Sequence, residues 1–236
     1  MKSNVKFRTP GKKIFLALAI TLFGFIFLIG GCKKDKDDEG LTTIYKLKTH
    51  SQTSGGTTST RTYYYDSLGR VDSIWVFIEN TITSSPRFTY YTDSIVERVN
   101  DIFTATYYLT NGYATSRIGR TPWGVGSSIT YTYDAEGHLL SQNAATTFGW
   151  GGGNMINESR DGAVTHYYNY SPNSVNTIGN RNKGMSFLGI ESRNLVNTIT
   201  SATSNLSHHV SYTFDSQNRV AEARTDTFLH ETFTYY

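Results

Sequence analysis

The sequence lacks most of the patterns from which catalytic or metal-binding sites are recognised. Its single cysteine, Cys32, cannot form an internal disulfide bond, and its six histidines are scattered without a zinc-binding spacing. No Gly-x-Ser-x-Gly nucleophile motif occurs, and the glycine-rich GWGGGN (149–154) opens no predicted helix, as a dinucleotide-binding loop would. Because no set of acid, base and nucleophile can be assembled, we predict a protein that is not an enzyme and holds no cofactor or metal.

The first 31 residues have the composition of a secretory signal. Residues 1–13 carry five basic and no acidic residues, and IFLALAITLFGFIFLI (14–29) is an almost unbroken apolar run that is followed by small residues. The run is shorter than the ~20 residues of a membrane-spanning helix. We therefore expect residues 1–31 to be removed by cleavage between Gly31 and Cys32, with an uncleaved anchor as the alternative.

Cys32 lies between this apolar run and the charged run KKDKDDEG (33–40), so it is not part of a core. Residues 28–32, Leu-Ile-Gly-Gly-Cys, resemble the lipobox of bacterial lipoproteins. The resemblance implies that the Cys32 thiol receives a diacylglycerol and that residues 32–41 tether the protein to a membrane. A charged cluster after the lipidated cysteine also resembles the surface-export signal of Bacteroidetes lipoproteins, which implies the outer face of the outer membrane. A plain spacer that faces the periplasm is the alternative.

Cleavage would change the charge balance. It would remove five of the 22 basic and none of the 19 acidic residues, which leaves 17 basic against 19 acidic residues. No basic surplus remains for binding nucleic acid. Residues 42–236 are numerous enough to build one core, and we predict a single domain there.

A nine-residue pattern occurs three times in this domain, as YYYDSLGRV (63–71), YTYDAEGHL (131–139) and YTFDSQNRV (212–220). The alternating aromatic residues predict a strand, and aspartate can open a type I turn by accepting backbone hydrogen bonds. Glycine or asparagine three residues later supplies the left-handed conformation that returns the chain as a hairpin. The turn residues are Asp66, Gly69, Asp134, Gly137, Asp215 and Asn218. We interpret the pattern as a repeated hairpin, with a repeated ligand site as the alternative.

Weaker hairpin signals fill the intervals. Asn111-Gly112 predicts a two-residue turn, and Pro172-Asn173 predicts another between two strand-like runs. Residues 182–199 show no alternation and predict an irregular connection with one short helix. Neither face of residues 58–65 is apolar enough to contact lipid. We therefore predict an all-β antiparallel meander of short hairpins, which forms a curved sheet or barrel-like domain that is soluble and lipid-tethered.

The signal, the acidic tether, the repeated hairpins, the element FLGIESRNLV (187–196) and the closing YTFDSQNRV and TFTYY segments resemble, in this order, a family of Bacteroidetes lipoproteins of unknown function. The resemblance implies a porin-like β fold and an envelope location, and it brings no catalytic residue. The hairpin pattern alone also resembles the tyrosine–aspartate repeats of Rhs-type shells. Three copies are too few to enclose a chamber as those shells do.

Aromatic residues are the remaining functional signal. After removal of residues 1–31 the chain keeps all 17 tyrosines, three tryptophans and eight of 13 phenylalanines. A tyrosine-rich sheet suits either a shallow binding face or a thin core. We predict a surface module that binds a glycan or a protein, with a structural or envelope-assembly protein without a small ligand as the alternative. Trp150, which has glycine on both sides, is the predicted ligand contact, unless it folds back and plugs one end of the sheet.

Overall fold

The computed structural model describes residues 44–100, 103–121, 123–226 and 229–236. The predicted signal (1–31), the lipidation site Cys32 and the charged tether (32–41) lie outside these residues. Within the described residues, no helix is both long enough and apolar enough to cross a membrane.

The described chain is built almost entirely from β-strands. The first nine are β1 (Leu47–Ser54), β2 (Thr57–Tyr65), β3 (Val71–Ile78), β4 (Thr81–Ser84), β5 (Pro86–Tyr90), β6 (Ser94–Val99), β7 (Phe103–Thr110), β8 (Tyr113–Thr121) and β9 (Gly124–Tyr133). The others are β10 (Leu139–Gln142), β11 (Thr146–Gly151), β12 (Asn154–Arg160), β13 (Ala163–Val175), β14 (Asn194–Ser201), β15 (Ser207–Phe214), β16 (Val220–Thr225) and β17 (His230–Tyr235). One 3₁₀ helix, Ser186–Leu188, lies between β13 and β14.

The strands follow one another as an antiparallel meander that closes on itself. Apart from β4 and β5, each strand pairs with the next along the chain, and β1 pairs with both β2 and β17. Both β4 and β5 pair with β3, so they act as one interrupted strand, and the ring is a barrel of 16 strands. Closure removes the unpaired edges that an open sheet would expose. The all-β antiparallel meander predicted from the sequence is confirmed.

Because successive strands run in opposite directions, successive turns alternate between the two ends of the barrel. With an even number of strands, the chain begins and ends at the same end. One end carries both ends of the described chain and the turns that follow β2, β5, β7, β9, β11, β13 and β15. We call it the plugged end, because residues 176–193, the plug segment, lie there between β13 and β14. All three copies of the repeated pattern form turns at this end.

The inward face of the strands carries the core near the plugged end. Alternate residues such as Tyr63, Ile95, Tyr107 and Phe233 point inward and join one buried cluster, which also includes Phe187 of the plug segment. Toward the opposite end the inward side chains are only partly buried, and Ile78 is 41% exposed. Water therefore reaches the barrel interior from that end.

The outward face is dominated by hydroxyl groups. Cross-strand hydroxyl pairs on this face are Thr49–Thr234 at 2.6 Å, Ser51–Thr60 at 2.8 Å, Thr53–Thr58 at 2.9 Å, Thr132–Ser141 at 2.7 Å and Thr200–Ser207 at 2.9 Å. A barrel wall that faces lipid needs a continuous apolar band. The outward positions that carry these hydroxyl pairs are polar, in line with the pattern read from residues 58–65.

Two local predictions have different outcomes. Asn111 and Gly112 form the two-residue turn between β7 and β8, with φ values of 53° and 83°. The turn predicted at Pro172-Asn173 is wrong, because β13 continues to Val175. The β13–β14 register shifts between Ser171 and Val175, so Pro172 occupies a position where its missing N–H breaks no regular ladder bond.

Candidate functional site: the plugged end of the barrel

The repeated turns share one geometry, which the first copy illustrates. Asp66 Oδ1 accepts hydrogen bonds from the N–H groups of Leu68 at 3.0 Å and Arg70 at 2.9 Å. The Gly69 N–H donates to the Asp66 carbonyl at 3.0 Å, and Gly69 has a φ of 79°. The matching residues of the other copies, Gly137 and Asn218, have φ values of 97° and 60°. The fixed positions of the pattern therefore all serve the turn.

The basic residue of each copy pairs with the aspartate of its own turn. The pairs are Arg70–Asp66 at 2.7 Å, His138–Asp134 at 2.9 Å and Arg219–Asp215 at 2.7 Å. Hydrogen bonds from Arg219 lower the pKa of Asp215 below its ordinary value. Burial opposes the same effect at Asp66, but hydrogen bonds from Arg70 prevail and lower the pKa of that carboxyl.

The same basic residues also stack on an aromatic ring. In each case the ring belongs to the neighbour of the strand that follows the turn, namely β5, β11 or β17. Measured to the ring centroid, Arg70 lies 4.1 Å from Tyr90, His138 lies 4.4 Å from Trp150, and Arg219 lies 4.4 Å from Tyr235. Each aromatic ring then donates a hydrogen bond to the first residue after the turn. These bonds are Tyr90 to Val71 O at 2.8 Å, Trp150 to Leu139 O at 2.8 Å and Tyr235 to Val220 O at 2.9 Å. Trp150 is thus the counterpart of two tyrosines that brace the repeated turns.

The plug segment makes a hydrogen bond to every copy of the pattern. Val71 N–H donates to Gly184 O at 3.0 Å, Ile190 N–H donates to Gly137 O at 2.9 Å, and Val220 N–H donates to Thr177 Oγ1 at 3.0 Å. Around the ring of 16 strands, these three turns are separated by six, six and four strands. The segment is therefore held from three sides of the barrel rim, which fixes it across the end.

Further contacts hold the plug segment at its centre. Asn182 is 5% exposed, and its carbonyl accepts the Leu47 N–H at 2.9 Å and the Tyr65 hydroxyl at 3.1 Å. The Phe187 ring packs edge-on against Tyr107, with ring centroids 5.2 Å apart. Burying a phenylalanine side chain stabilises a fold by about 1.5–3 kcal/mol. The backbone bonds set the path of the segment, and Phe187 joins it to the barrel core.

A cavity of about 340 Å³ remains between the plug segment and the inward face of β10–β15. We call it the luminal cavity. The barrel wall contributes Phe148, Trp150, Met155 and Tyr212, and the plug segment contributes Glu191, among other residues. Its volume lies near the lower end of the ~300–1,000 Å³ typical of small-molecule sites. Its walls are mainly apolar and aromatic, as such sites require.

Glu191 and Lys183 are the half-buried charged groups of the plug segment. Burial raises the pKa of Glu191, against the opposing effect of its own backbone N–H and that of Arg181. Burial lowers the pKa of Lys183, although the Glu191 and Glu231 charges act in the opposite direction. Glu191 thus brings a carboxyl group with a raised pKa to the edge of an apolar cavity.

Two other groups of charged residues, one around Arg117 and one around Asp134, are already paired within the protein. Arg117 contacts Glu97 at 3.0 Å inside the barrel, and the Tyr107 hydroxyl donates to the same carboxylate at 3.1 Å. Asp134, Glu136 and His138 bring possible metal-ligating atoms within 4.8 Å of one another. The Asp134 carboxylate is already engaged by the turn and by His138, so this group has the geometry of a braced hairpin.

Trp150, the predicted ligand contact, lies in a strand and not in the loop that the sequence predicted. Trp150 lies in β11, one residue before its end, where it is half-buried and lines the luminal cavity. The tryptophan at a hairpin tip is Trp123, which is 89% exposed between β8 and β9 at the end opposite the plug. Sequence reasoning missed Glu191, because a lone glutamate in an irregular segment gives no local signal of burial.

Solved structures with this fold include two porin-like proteins from Bacteroides. A porin-like protein from Bacteroides uniformis matches with a TM-score of 0.65 and 14% sequence identity, over 82% of this chain and 98% of its own. A porin-like protein from Bacteroides vulgatus matches with a TM-score of 0.52 and 14% identity, over 81% of this chain and 99% of its own. At this level of identity the likeness shows the fold alone, and it agrees with the porin-like β fold implied by the sequence resemblance.

No protein-family model matches the sequence. No curated protein matches it either.

Proposed function

We propose that this protein is a lipid-anchored component of the bacterial outer membrane that binds a small ligand inside its plugged barrel. The luminal cavity carries the proposal, because it combines aromatic walls, a volume of about 340 Å³ and one half-buried carboxyl group. A plug that served only to fill the barrel would be expected to pack without such a space. The porin-like fold of the two Bacteroides proteins supports an envelope location.

The position of the chain ends supports an orientation for the proposed anchor. The described chain begins at residue 44, at the plugged end. Lipid on Cys32 would be attached twelve residues before this point in the sequence. The plugged end would then face the membrane, and the water-accessible opposite end would face away from it and admit the ligand.

Ligand binding is tested by filling the cavity. Met155→Trp places a large ring in the luminal cavity, whereas Ile156→Trp changes the neighbouring residue, which is 44% exposed on the outward face. The acylated protein is incubated with a small-molecule extract of bacterial envelopes, washed and examined by mass spectrometry. We expect wild type and Ile156→Trp to retain a common compound that Met155→Trp does not retain. Equal retention by all three proteins would contradict a site in the cavity.

The side of the membrane is tested with a single introduced thiol. Thr203→Cys places it in the exposed β14–β15 turn at the end opposite the plug. Lipidated Cys32 has no free thiol, because its sulfur is bonded to the lipid as a thioether, so a membrane-impermeant maleimide reports only position 203. Labelling of intact cells would support surface exposure, whereas labelling that requires permeabilised cells would support the periplasm-facing alternative.

An outward aromatic strip favours a structural or envelope-assembly protein as the second candidate. Tyr64 and Trp75 lie on the outward face with ring centroids 5.8 Å apart and exposures of 41% and 36%. Ile82, 53% exposed, extends the strip onto β4. Exposed aromatic groups of this kind often mark protein contacts. If this candidate is right, Trp75→Ser should abolish a cross-linked envelope complex that survives in Met155→Trp.

A further inference from the structure

The luminal cavity offers few free polar groups, because most of those at its wall are already hydrogen-bonded within the protein. The Tyr170 hydroxyl donates to Met155 O at 2.6 Å, and the Tyr212 hydroxyl donates to Val196 O at 2.7 Å. Trp150 Nε1–H donates to the Leu139 carbonyl, as described above. A ligand therefore meets these aromatic side chains mainly through their apolar surface.

Asn176 and Asn194, two of the three asparagines that line the luminal cavity, are engaged in the same way. Asn176 donates to Ser192 O at 3.0 Å and accepts the Ile178 N–H at 3.0 Å. Asn194 donates to Pro172 O at 3.0 Å, and its side-chain oxygen accepts a hydrogen bond from Asn154 at 3.0 Å. A sugar-like ligand would bury many hydroxyl groups against these walls without partners, and burying an unpaired hydroxyl group is unfavourable.

Glu191 is the charged residue that lines the cavity. Its Oε1 accepts the Arg181 N–H at 3.3 Å, and its side chain lies directly over Gly179, where a Cβ atom would overlap with it. The positive charges of Lys183 and Arg181 act on its carboxyl group, but among the described residues no lysine or arginine side chain lies within 4.0 Å of it. The carboxyl is thus fixed in place and keeps the capacity to accept a hydrogen bond from a ligand.

We infer that the luminal cavity binds a small molecule with an apolar body and one ammonium group, which Glu191 receives. This inference rests on the proposed function and specifies its ligand class. The faces of aromatic rings attract cations, and a carboxylate forms a strong charge-assisted hydrogen bond with an ammonium group. An anionic ligand would meet Glu191 as a like charge, and a neutral one would gain neither contribution.

Three probes of nearly equal size test this ligand class: 2-phenylethylamine, 2-phenylethanol and phenylacetate. Each is titrated calorimetrically into the acylated protein in detergent micelles, with empty micelles as the blank. We expect the amine to bind about tenfold or more tightly than the alcohol, as for a charge-assisted hydrogen bond. Phenylacetate should not bind measurably.

Glu191→Gln is the matched variant, because glutamine keeps an oxygen that can accept the Arg181 N–H. It should bring the affinity for the amine down to that for the alcohol and leave the alcohol unchanged. Met155→Trp should abolish binding of both probes, and Ile156→Trp should have no effect.

Two results would overturn the inference. One is equal binding of the amine and the alcohol to the wild-type protein. This comparison does not depend on whether a variant folds. The other is the absence of binding by all three probes. In either case the extraction assay with Met155→Trp still decides whether the cavity binds a ligand at all, so failure of the ligand class and failure of the proposed function remain distinguishable.

Discussion

Replacing Gly137 with alanine tests the link between the repeated turns and the packing around them. Gly137 has a φ of 97°, and an added Cβ would lie 2.5 Å from Cζ of Tyr113 and even closer to its hydroxyl oxygen. The Tyr113 ring is stacked on Tyr133 with centroids 5.1 Å apart, so it cannot move aside freely. Gly69 is the matched control, because its φ is 79° but an added Cβ would meet only the flexible end of Lys46, at 3.0 Å.

The losses of folding stability caused by Gly137→Ala and Gly69→Ala should differ by the cost of the clash with Tyr113. A left-handed alanine costs about 1–2 kcal/mol, which is the expected loss for Gly69→Ala. Overpacking adds about 1–3 kcal/mol at Gly137. For a domain of this size, each kcal/mol lowers the melting temperature by about 2–4 °C. We therefore expect Gly137→Ala to melt about 2–12 °C lower than Gly69→Ala.

Thermal and urea unfolding measure both variants, and a double mutant isolates the clash. In a Tyr113→Leu background, Gly137→Ala should cost no more than Gly69→Ala costs in the wild type, because the opposing ring is gone. If Gly137→Ala and Gly69→Ala are equally stable in the wild-type background, the argument about Tyr113 is refuted. If neither substitution lowers the melting temperature, the turns do not depend on left-handed residues.

Three further predictions follow from the anchor, the aromatic braces and the turn carboxylates. Cys32→Ser should leave an uncleaved precursor that takes up no labelled fatty acid, and equal labelling of mutant and wild type would contradict lipidation. Tyr90→Phe and Trp150→Phe each remove one hydrogen bond and should lower the free energy of unfolding, measured in urea, by about 1 kcal/mol. An unchanged stability of Trp150→Phe would show that Trp150 does not brace its turn. The pKa of Asp215 is lower in the folded than in the unfolded protein, so its contribution to stability is present above the ordinary pKa of 3.8 and is lost as the pH falls through the folded pKa. Replacing its arginine partner with methionine should flatten this part of the stability–pH profile, and an unchanged profile would assign the acid sensitivity to other groups.

The repeated turns were predictable because their chemistry is local. Aspartate, a two-residue spacer and glycine or asparagine determine a tight turn with little help from the rest of the chain. The alternation of tyrosine and threonine likewise determines which residues share a face of a strand. The sequence therefore predicted an all-β meander and the absence of an apolar face around residues 58–65.

Trp150 shows where local reasoning ends. Its glycine neighbours predict a loop, yet β11 runs through Gly151 because β12 pairs with it. Its counterparts, Tyr90 and Tyr235, lie at different sequence distances from their turns, so no fixed spacing relates the three residues. Their common role became visible only when the next barrel strand placed each ring against its turn.

The amino-acid sequence by itself determined most of the hairpins, the lack of an apolar face around residues 58–65 and the residues that form each repeated turn, because these depend on neighbours along the chain. Only the tertiary structure decided that the strands number 16 and close, that all three repeated turns lie at one end, and that residues 176–193 cross that end and leave a cavity beside Glu191. Strand closure depends on pairing β1 with β17, which lie far apart in sequence, and no local pattern encodes that pairing. The plug segment has no periodicity of its own, because its path is set by hydrogen bonds to three separated turns.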